Sequence, residues 1–385
     1  MGQHGGVHQH CRGRGIFHLV VATGCYASAT LLLPHHTGNL QHRAMATPTA
    51  ARPKSAAVVG ATGYVGSHVT AALLQRGYTV TGTARNADTA KWLQELVPIE
   101  GGGALDLLPL SLGPTESEIP CDALDAVTSG KDAVFFCAGF ERQEPATVDF
   151  MVGNAVALLR SARRQRVGCV VLTSSGGSTN APGLDDGTPK NELEHWSDPE
   201  LQKANGRWSP AAKTLMELAA LREVGRDHRN NIVDEAVAKD APRLCIMNPN
   251  LILGPQLQPG PVAGNSLPWI ARILKGERMS DQIPNDSMSV IDVRDLAALH
   301  VACAETPSAS GRYFGVNRAY PWEEILAAFK EAYPAYQVPP RFEGSARTPT
   351  QFDLTRRDSL GVPLRDFRET VKDVINFMIE RDYVP

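Results

Sequence analysis

The segment SAAVVGATGYVGSHVTAALLQRGYTVTGTARN, Ser55 to Asn86, restricts the fold more than any other stretch of the chain. Ala56 to Val59 is a short apolar run suited to a buried parallel strand. Gly60, Gly63 and Gly66 follow, and then Val69, Leu73 and Leu74 recur at helical spacing until Gly77 ends the helix. Tyr78 to Thr83 supplies a second strand, so the segment predicts one strand, turn, helix and strand unit. Glycines without a Cβ let the chain turn tightly, bring backbone amides against a pyrophosphate and pack the helix close to the strand. A glycine pattern alone is weak evidence, but this one stands between a strand and a helix, as that chemistry requires.

The alternation continues. Lys131 to Ala138, Val167 to Thr173 and Arg243 to Asn248 are short hydrophobic runs. Between them lie helix-like segments, VDFMVGNAVALLRSARRQR and AAKTLMELAALREVG, the second with Leu215, Leu218, Ala219 and Val224 on one face. Strands alternating with helices imply an α/β fold with a doubly wound parallel sheet, the Rossmann arrangement, and ligand binding at the carboxyl ends of the strands. The expected organisation is a dinucleotide-binding domain over residues 55–247. Residues 248–385 form a smaller, mainly substrate-binding lobe with segments returning to the first domain. After Asn248 the texture changes to Pro- and Gly-rich loops (NPNLILGPQLQPGPVAG) and shorter helices such as Pro321 to Tyr333 and Val362 to Arg381.

An acidic residue at the end of the second strand would accept hydrogen bonds from the ribose hydroxyls of NAD. The chain has TGTARN there, offering Arg85 and Asn86 and no carboxylate. A guanidinium suits a 2′-phosphate, which it binds bidentately, so NADPH is the expected cofactor, with Lys91 as a second cation. The plain alternative is that Arg85 is a solvated surface charge.

Composition closes off other classes. A formal charge of -3 and 43% apolar residues over 385 positions describe a globular chain without the basic excess of a nucleic-acid binder. Residues 1–54 differ: they hold no Asp or Glu, seven of the eleven histidines, and an apolar run from Ile16 to Leu33 behind a basic start. Three readings stay open for them: a targeting or transit leader outside the fold, a start called too early with Met45 as the initiator, or a membrane anchor, which His18, Gly24 and Ser28 disfavour. A leader would direct the body to a plastid-like organelle, whereas a start at Met45 leaves it in the cytoplasm. No membrane association is expected of the body. Cys121, Cys137, Cys169, Cys245 and Cys303 are odd in number, widely spaced and mostly inside apolar runs. That points to buried reduced thiols in a reducing compartment, not to disulfides or a metal site.

Seven blocks in order, VVGATGYVGSHV, GYTVTGTARN, VVLTSSGGSTN, HWSDPELQKANGRW, AAKTLME, MNPNLILGP and MSVIDVRDLAALHV, resemble the extended short-chain dehydrogenase/reductase superfamily. Within it they are most similar to the dihydroflavonol-reductase and cinnamoyl-CoA-reductase-like branch of the NAD-dependent epimerase/dehydratase family, from about Ala56 to about Tyr383. The resemblance implies that Gly60, Gly63 and Gly66 cradle the pyrophosphate with Tyr64 and Val65 beside it, that Arg85 holds the adenosine phosphate, and that Ala138 lies near the cofactor ribose. It further implies that Ser175 hydrogen-bonds the substrate carbonyl, Lys213 binds the nicotinamide ribose and lowers a tyrosine pKa, Pro249 runs along the nicotinamide, and Asn180 faces substrate. The family often forms dimers, so the resemblance is compatible with a homodimer.

The chain departs from the family at two places. Where an Asp-Leu pair meets the adenine it has Ser111 and Leu112, with Asp106 as an alternative if the alignment slips. The larger departure is Ser209, four residues before Lys213, where the family has tyrosine; no tyrosine occurs between Tyr78 and Tyr313.

Reducing a carbonyl needs hydride on carbon and a proton on oxygen. A phenol of pKa about 10, lowered by a neighbouring ammonium, donates that proton near neutral pH; an alkyl hydroxyl is a far weaker acid. The sequence therefore supports two accounts. In the first, the chain is an NADPH-dependent reductase of an aldehyde or ketone carbonyl, either small or dihydroflavonol- or phenylpropanoid-like. Ser175 polarises the oxygen, Lys213 holds the ribose, and a water held by Ser209 and Ser175 relays the proton. In the second, it is a silent or slow NADPH-binding sensor or interaction protein. His195 reads as a surface loop residue and Trp208 as packing. Ser209 also has a structural reason: serine at the N-cap with Pro210 at the first helical position starts a helix well.

Overall fold

The computed structural model describes residues 54–97, 103–114, 121–139, 142–184, 187–262, 264 and 266–384. The leader, anchor and early-start readings concern residues 1–54, all of which but Lys54 lie outside the described ones.

The strands are β1 (Ser55–Val59), β2 (Thr79–Ala84), β3 (Ala104–Pro109), β4 (Ala133–Phe136), β5 (Cys169–Thr173), β6 (Arg243–Pro249), β7 (Leu251–Leu253), β8 (Ser287–Asp292), β9 (Gly311–Gly315) and β10 (Arg318–Pro321). The helices are α1 (Tyr64–Gln75), α2 (Cys121–Thr128), α3 (Ala146–Arg164), α4 (Pro199–Ala204), α5 (Trp208–Glu223), α6 (Glu235–Asp240), α7 (Ser266–Leu274), α8 (Val293–Glu305), α9 (Trp322–Ala332), α10 (Thr355–Asp358) and α11 (Phe367–Glu380). Among the described residues, seven strands form one sheet in the order β3-β2-β1-β4-β5-β6-β9. Every pairing in it is parallel. This is the doubly wound α/β sheet that the alternation predicts.

Strands β1, β4 and β5 are buried along their whole length. Both faces are covered, by α1 and α8 on one side and α3 and α5 on the other, so these strands read as continuous apolar runs and not as alternating ones. The strand order reverses between β1 and β4, which pair Val58 with Phe135, and such a reversal opens a crevice at the carboxyl ends. A third apolar cluster joins α7, α9 and α11 beside the small β10-β8-β7 sheet. Strand β9 comes from beyond residue 248 and pairs with β6. No helix of the described residues is long and apolar enough to cross a membrane.

The structure corrects several expectations of detail. The buried face of α5 carries Ala212, Lys213, Met216, Glu217 and Ala220, while Leu215, Leu218 and Ala219 are only half-buried. Two ionisable side chains therefore face inward where an apolar stripe was expected, because partners distant in sequence satisfy them. Helix α11 starts at Phe367 and not at Val362: Pro363 interrupts the run, and the Asp366 carboxylate caps the helix by accepting from the Arg368 N–H at 2.8 Å. All five cysteines are free, but Cys121 is exposed and Cys137 half-exposed, so only three are buried thiols.

Candidate active site

A cleft of about 1220 Å³ is lined by residues at the carboxyl ends of β1, β2, β4, β5 and β6. Of the residues singled out in the sequence, Gly60, Gly63, Tyr64, Val65, Arg85, Ala138, Ser175, Ser209, Lys213 and Pro249 line it; Gly66 and Asn180 do not.

At its first-strand end the wall is backbone. Gly60 adopts φ +85°, and a Cβ there would lie 2.8 Å from the Ala138 nitrogen. A Cβ on Gly66 would lie 2.0 Å from the Gly60 carbonyl oxygen, so Gly66 serves the close packing of α1 on β1 rather than the cleft surface. Gly63, the N-cap of α1, offers no side chain to the first helical amides, which leaves them for an anion. The cations lining the cleft are Arg85, Arg142 and Lys213, and its described lining has no Asp or Glu, in a chain with 41 acidic and 38 basic residues. This cradle and charge balance fit a dinucleotide diphosphate.

Arg85 follows β2 directly, is exposed, and makes no ion pair among the described residues. Lys91, the expected second cation, is turned aside: its ammonium pairs with Asp88 at 2.8 Å and lies outside the lining. Leu110 and Leu112 line the cleft near this end, whereas Ser111 does not. Asp106 sits within β3 opposite Thr81, also outside the lining.

The other end gathers polar side chains on β5, α5 and the loops between. The Ser175 Oγ accepts the Gly177 N–H at 3.0 Å, which leaves its own O–H to donate. The glycines after it pack closely: a Cβ on Gly177 would lie 3.3 Å from Pro210 Cβ, and one on Gly176 would lie 3.3 Å from Asn250 Cβ. Lys213 is buried and donates to the Thr173 carbonyl at 3.0 Å. Ser209 precedes it by one helical turn, so both side chains leave the same face of α5. The N-cap expectation for Ser209 is not met. The cap is Arg207, without a side-chain bond, and Ser209 is already helical, with its N–H donating to Gln143 Oε1 at 3.1 Å.

Beneath this wall lies a charged layer. Glu217, one turn after Lys213, accepts from the Ser174 hydroxyl, from Ser178 Oγ at 2.5 Å and from Asn248 Nδ2 at 2.8 Å. The serine loop is thereby tied to α5 and to β6. Arg312 of β9 pairs with Glu217 at 2.7 Å, donates to the Glu192 and Ser178 carbonyls, and stacks 3.6 Å from the Trp196 ring centroid.

Tyr64 is the only phenol in the described lining, and it donates its O–H to the Gly254 carbonyl at 2.8 Å; burial, then the Asp292 charge, hold its pKa well above the ordinary value. His195 lies outside the lining, its Nδ1 accepting from the Asn191 N–H at 2.8 Å. Asn180 is exposed and its side-chain oxygen accepts from Lys190. Sequence reasoning passed over Cys137, Arg142, Gln143 and Asn250, all of which line the cleft. Although Cys137 as a residue is half-exposed, its sulfur is desolvated, and this pushes the thiol up to about 11. Its place beside Ala138 at a strand end was a usable signal; Gln143 and Asn250 carried none.

Residues 60–205 match a family model described as NAD(P)H-binding. The chain is 30% identical over 336 residues to cinnamoyl-CoA reductase 1 of Arabidopsis thaliana, covering 86% of this chain and 91% of that protein. It is 29% identical over 335 residues to tetraketide alpha-pyrone reductase 1 of the same plant, covering 85% and 96%. Among solved structures, vestitone reductase from alfalfa superposes with a TM-score of 0.68 at 22% identity, over 86% of this chain and 99% of that one. The yeast methylglyoxal/isovaleraldehyde reductase complexed with NADPH gives 0.68 at 20% identity, over 86% and 100%. The chain carries an NAD(P)H-binding domain and belongs to the extended short-chain dehydrogenase/reductase superfamily, in its cinnamoyl-CoA-reductase-like branch.

Proposed function

We propose that the protein is an NADPH-dependent reductase of an aldehyde or ketone carbonyl, either small or phenylpropanoid-like. One observation carries the reading. The Gly60–Gly63 turn leading into the uncapped start of α1, Arg85, which makes no ion pair among the described residues, and the Ser175, Ser209 and Lys213 side chains all line a single cleft whose described lining bears cations and no carboxylate. The named activities of the relatives, reductases of a cinnamoyl-CoA and of a tetraketide pyrone, favour a carbonyl substrate.

A bound reduced nicotinamide supplies hydride. The chain supplies the rest. Ser175, its Oγ already fixed by the Gly177 amide, directs its O–H to the carbonyl oxygen. Lys213, anchored on the Thr173 carbonyl, holds the ribose and a positive charge where the alkoxide develops. Ser209 has no acidity to offer, so the proton is taken from a water held between the Ser209 and Ser175 hydroxyls and replenished from solvent past Lys213.

A second reading, a silent NADPH-binding sensor or interaction protein, is favoured by Ser209 itself and by the engagement of the Tyr64 phenol with Gly254. The test is NADPH oxidation by the purified protein against cinnamoyl-CoA, cinnamaldehyde, methylglyoxal, isovaleraldehyde and a dihydroflavonol. Turnover of any of these above the uncatalysed rate, lost in Lys213→Ala, supports the reductase. NADPH binding without turnover across the panel supports the sensor.

A further inference from the structure

The first turn of α5 needs a partner from outside the helix. Pro210 has no N–H, and the Ala211 N–H already donates to the Arg207 carbonyl at 3.1 Å. The Ser209 N–H reaches instead to Gln143 at 3.1 Å. A backbone N–H can only donate, so the atom facing it is the carboxamide oxygen, and chemistry fixes which way the Gln143 amide is turned. Its Nε2, on the other branch of the planar group, carries two N–H bonds without a partner among the described residues. Gln143 lines the same cleft as Ser175, Ser209 and Lys213.

Building on the reductase reading, we propose that Gln143 is a substrate-binding residue whose Nε2–H donates to the reacting carbonyl oxygen, as a second donor beside Ser175. A phenol at position 209 would both hold that oxygen and protonate it. Here the two tasks are divided. Gln143, which does not titrate, holds the oxygen and stabilises the developing alkoxide, and the proton comes from water. Ser209 takes part through its backbone, by orienting the carboxamide. Arg142, exposed and facing Glu144 at 3.8 Å, and the buried Lys213 line the same cleft, whose described lining has no carboxylate to repel a developing oxyanion.

Gln143→Glu separates this role from mere helix capping. The carboxylate still accepts from the Ser209 N–H, so the helix start is retained, but it has no N–H to give and repels the carbonyl oxygen. We expect an unchanged melting temperature, an NADPH Kd within twofold of wild type, and kcat/KM at pH 7.5 reduced about 10²- to 10³-fold on the best substrate of the panel above. Because a protonated carboxyl is again a donor, kcat/KM of the variant should rise about tenfold per pH unit as the pH is lowered from 7.5 to 5.5, while wild type shows no such rise. Gln143→Leu removes cap and donor together and should lose both melting temperature and activity. A Gln143→Glu protein with wild-type kcat/KM and pH profile overturns the inference and leaves the reductase reading intact. Wild-type protein that binds NADPH but reduces nothing overturns both.

Discussion

Arg312 and Glu217 form an ion pair at 2.7 Å with both side chains shielded from solvent, directly under the serine loop that ends in the cleft. Burying two charges is tolerable because each is hydrogen-bonded several times over: Glu217 by two serines and an asparagine, Arg312 by three backbone carbonyls. Removing one partner strands the other. Arg312→Ala and Glu217→Ala should each cost about 3–5 kcal/mol in chemical denaturation. Glu217→Gln combined with Arg312→Met, which removes both charges, should recover most of that loss. A double variant no better than the singles would contradict the pairing.

Gly66 and Gly60 should fail differently. Gly66→Ala drives a Cβ to 2.0 Å from the Gly60 oxygen, in the packing of α1 on β1, and should lower soluble yield and melting temperature sharply. Gly60→Ala meets the Ala138 backbone at 2.8 Å and a φ of +85°, and should cost both stability and NADPH affinity, at least tenfold in Kd. Wild-type Kd in Gly60→Ala would exclude the turn as the phosphate cradle.

Three buried titrating groups shape the pH dependence of stability. His68 and His300 are each held near 4 against an ordinary 6.5, chiefly by burial. The unfolded chain takes up protons that the folded one refuses. Their contribution is therefore fully present above pH 6.5 and is lost as the pH falls toward 4, about 3 kcal/mol each. Glu192 works in the opposite sense. Its carboxylate is buried with Arg356 at 3.7 Å, and burial raises it to about 7 from 4.5, against the pull of its own backbone N–H and of the Arg356 and Arg312 charges. Its protonated form stabilises the fold below pH 4.5, and that stability is lost as the pH rises through 7. Denaturant melts at pH 5, 6, 7 and 8 should show Glu192→Gln more stable than wild type at pH 8 and similar to it at pH 5. A Glu192→Gln protein less stable at pH 8 contradicts the assignment.

The Tyr-x-x-x-Lys spacing offers a gain-of-function test. Ser209→Tyr restores a phenol of ordinary pKa about 10 one turn before Lys213, and should raise kcat by about 10²-fold or more with little change in NADPH Kd. A Ser209→Tyr protein no faster than wild type would mean that proton delivery does not limit the reaction.

How much of this was legible in the chain depends on where each residue finds its partner. The β1-α1-β2 unit was readable because its glycines, apolar spacing and strand are contiguous. Strand β3 was not, since at the sheet edge its residues are half exposed and it ends in Pro109. Strand β9 hides a buried arginine, Arg312, whose carboxylate partner lies on α5. The inward face of α5 was misjudged for the same reason: Glu217 looks like a solvent residue until the serine loop and Arg312 are brought to it, and Lys213 was placed in the site by the resemblance and not by helical periodicity. Gln143 reads as an ordinary surface glutamine, because the Ser209 N–H that its side-chain oxygen accepts comes from a helix far along the chain.

The claim on which the rest depends is that the cleft grips a dinucleotide carrying a 2′-phosphate. Calorimetric titration of the protein with NADPH and NADH tests it directly, with Arg85→Ala as the control. The account predicts NADPH binding at least tenfold tighter than NADH, and a preference that collapses in Arg85→Ala with little change for NADH, as loss of one charge-assisted phosphate contact implies. Equal affinity for the two nucleotides in the native protein, or no heat with either, would contradict it.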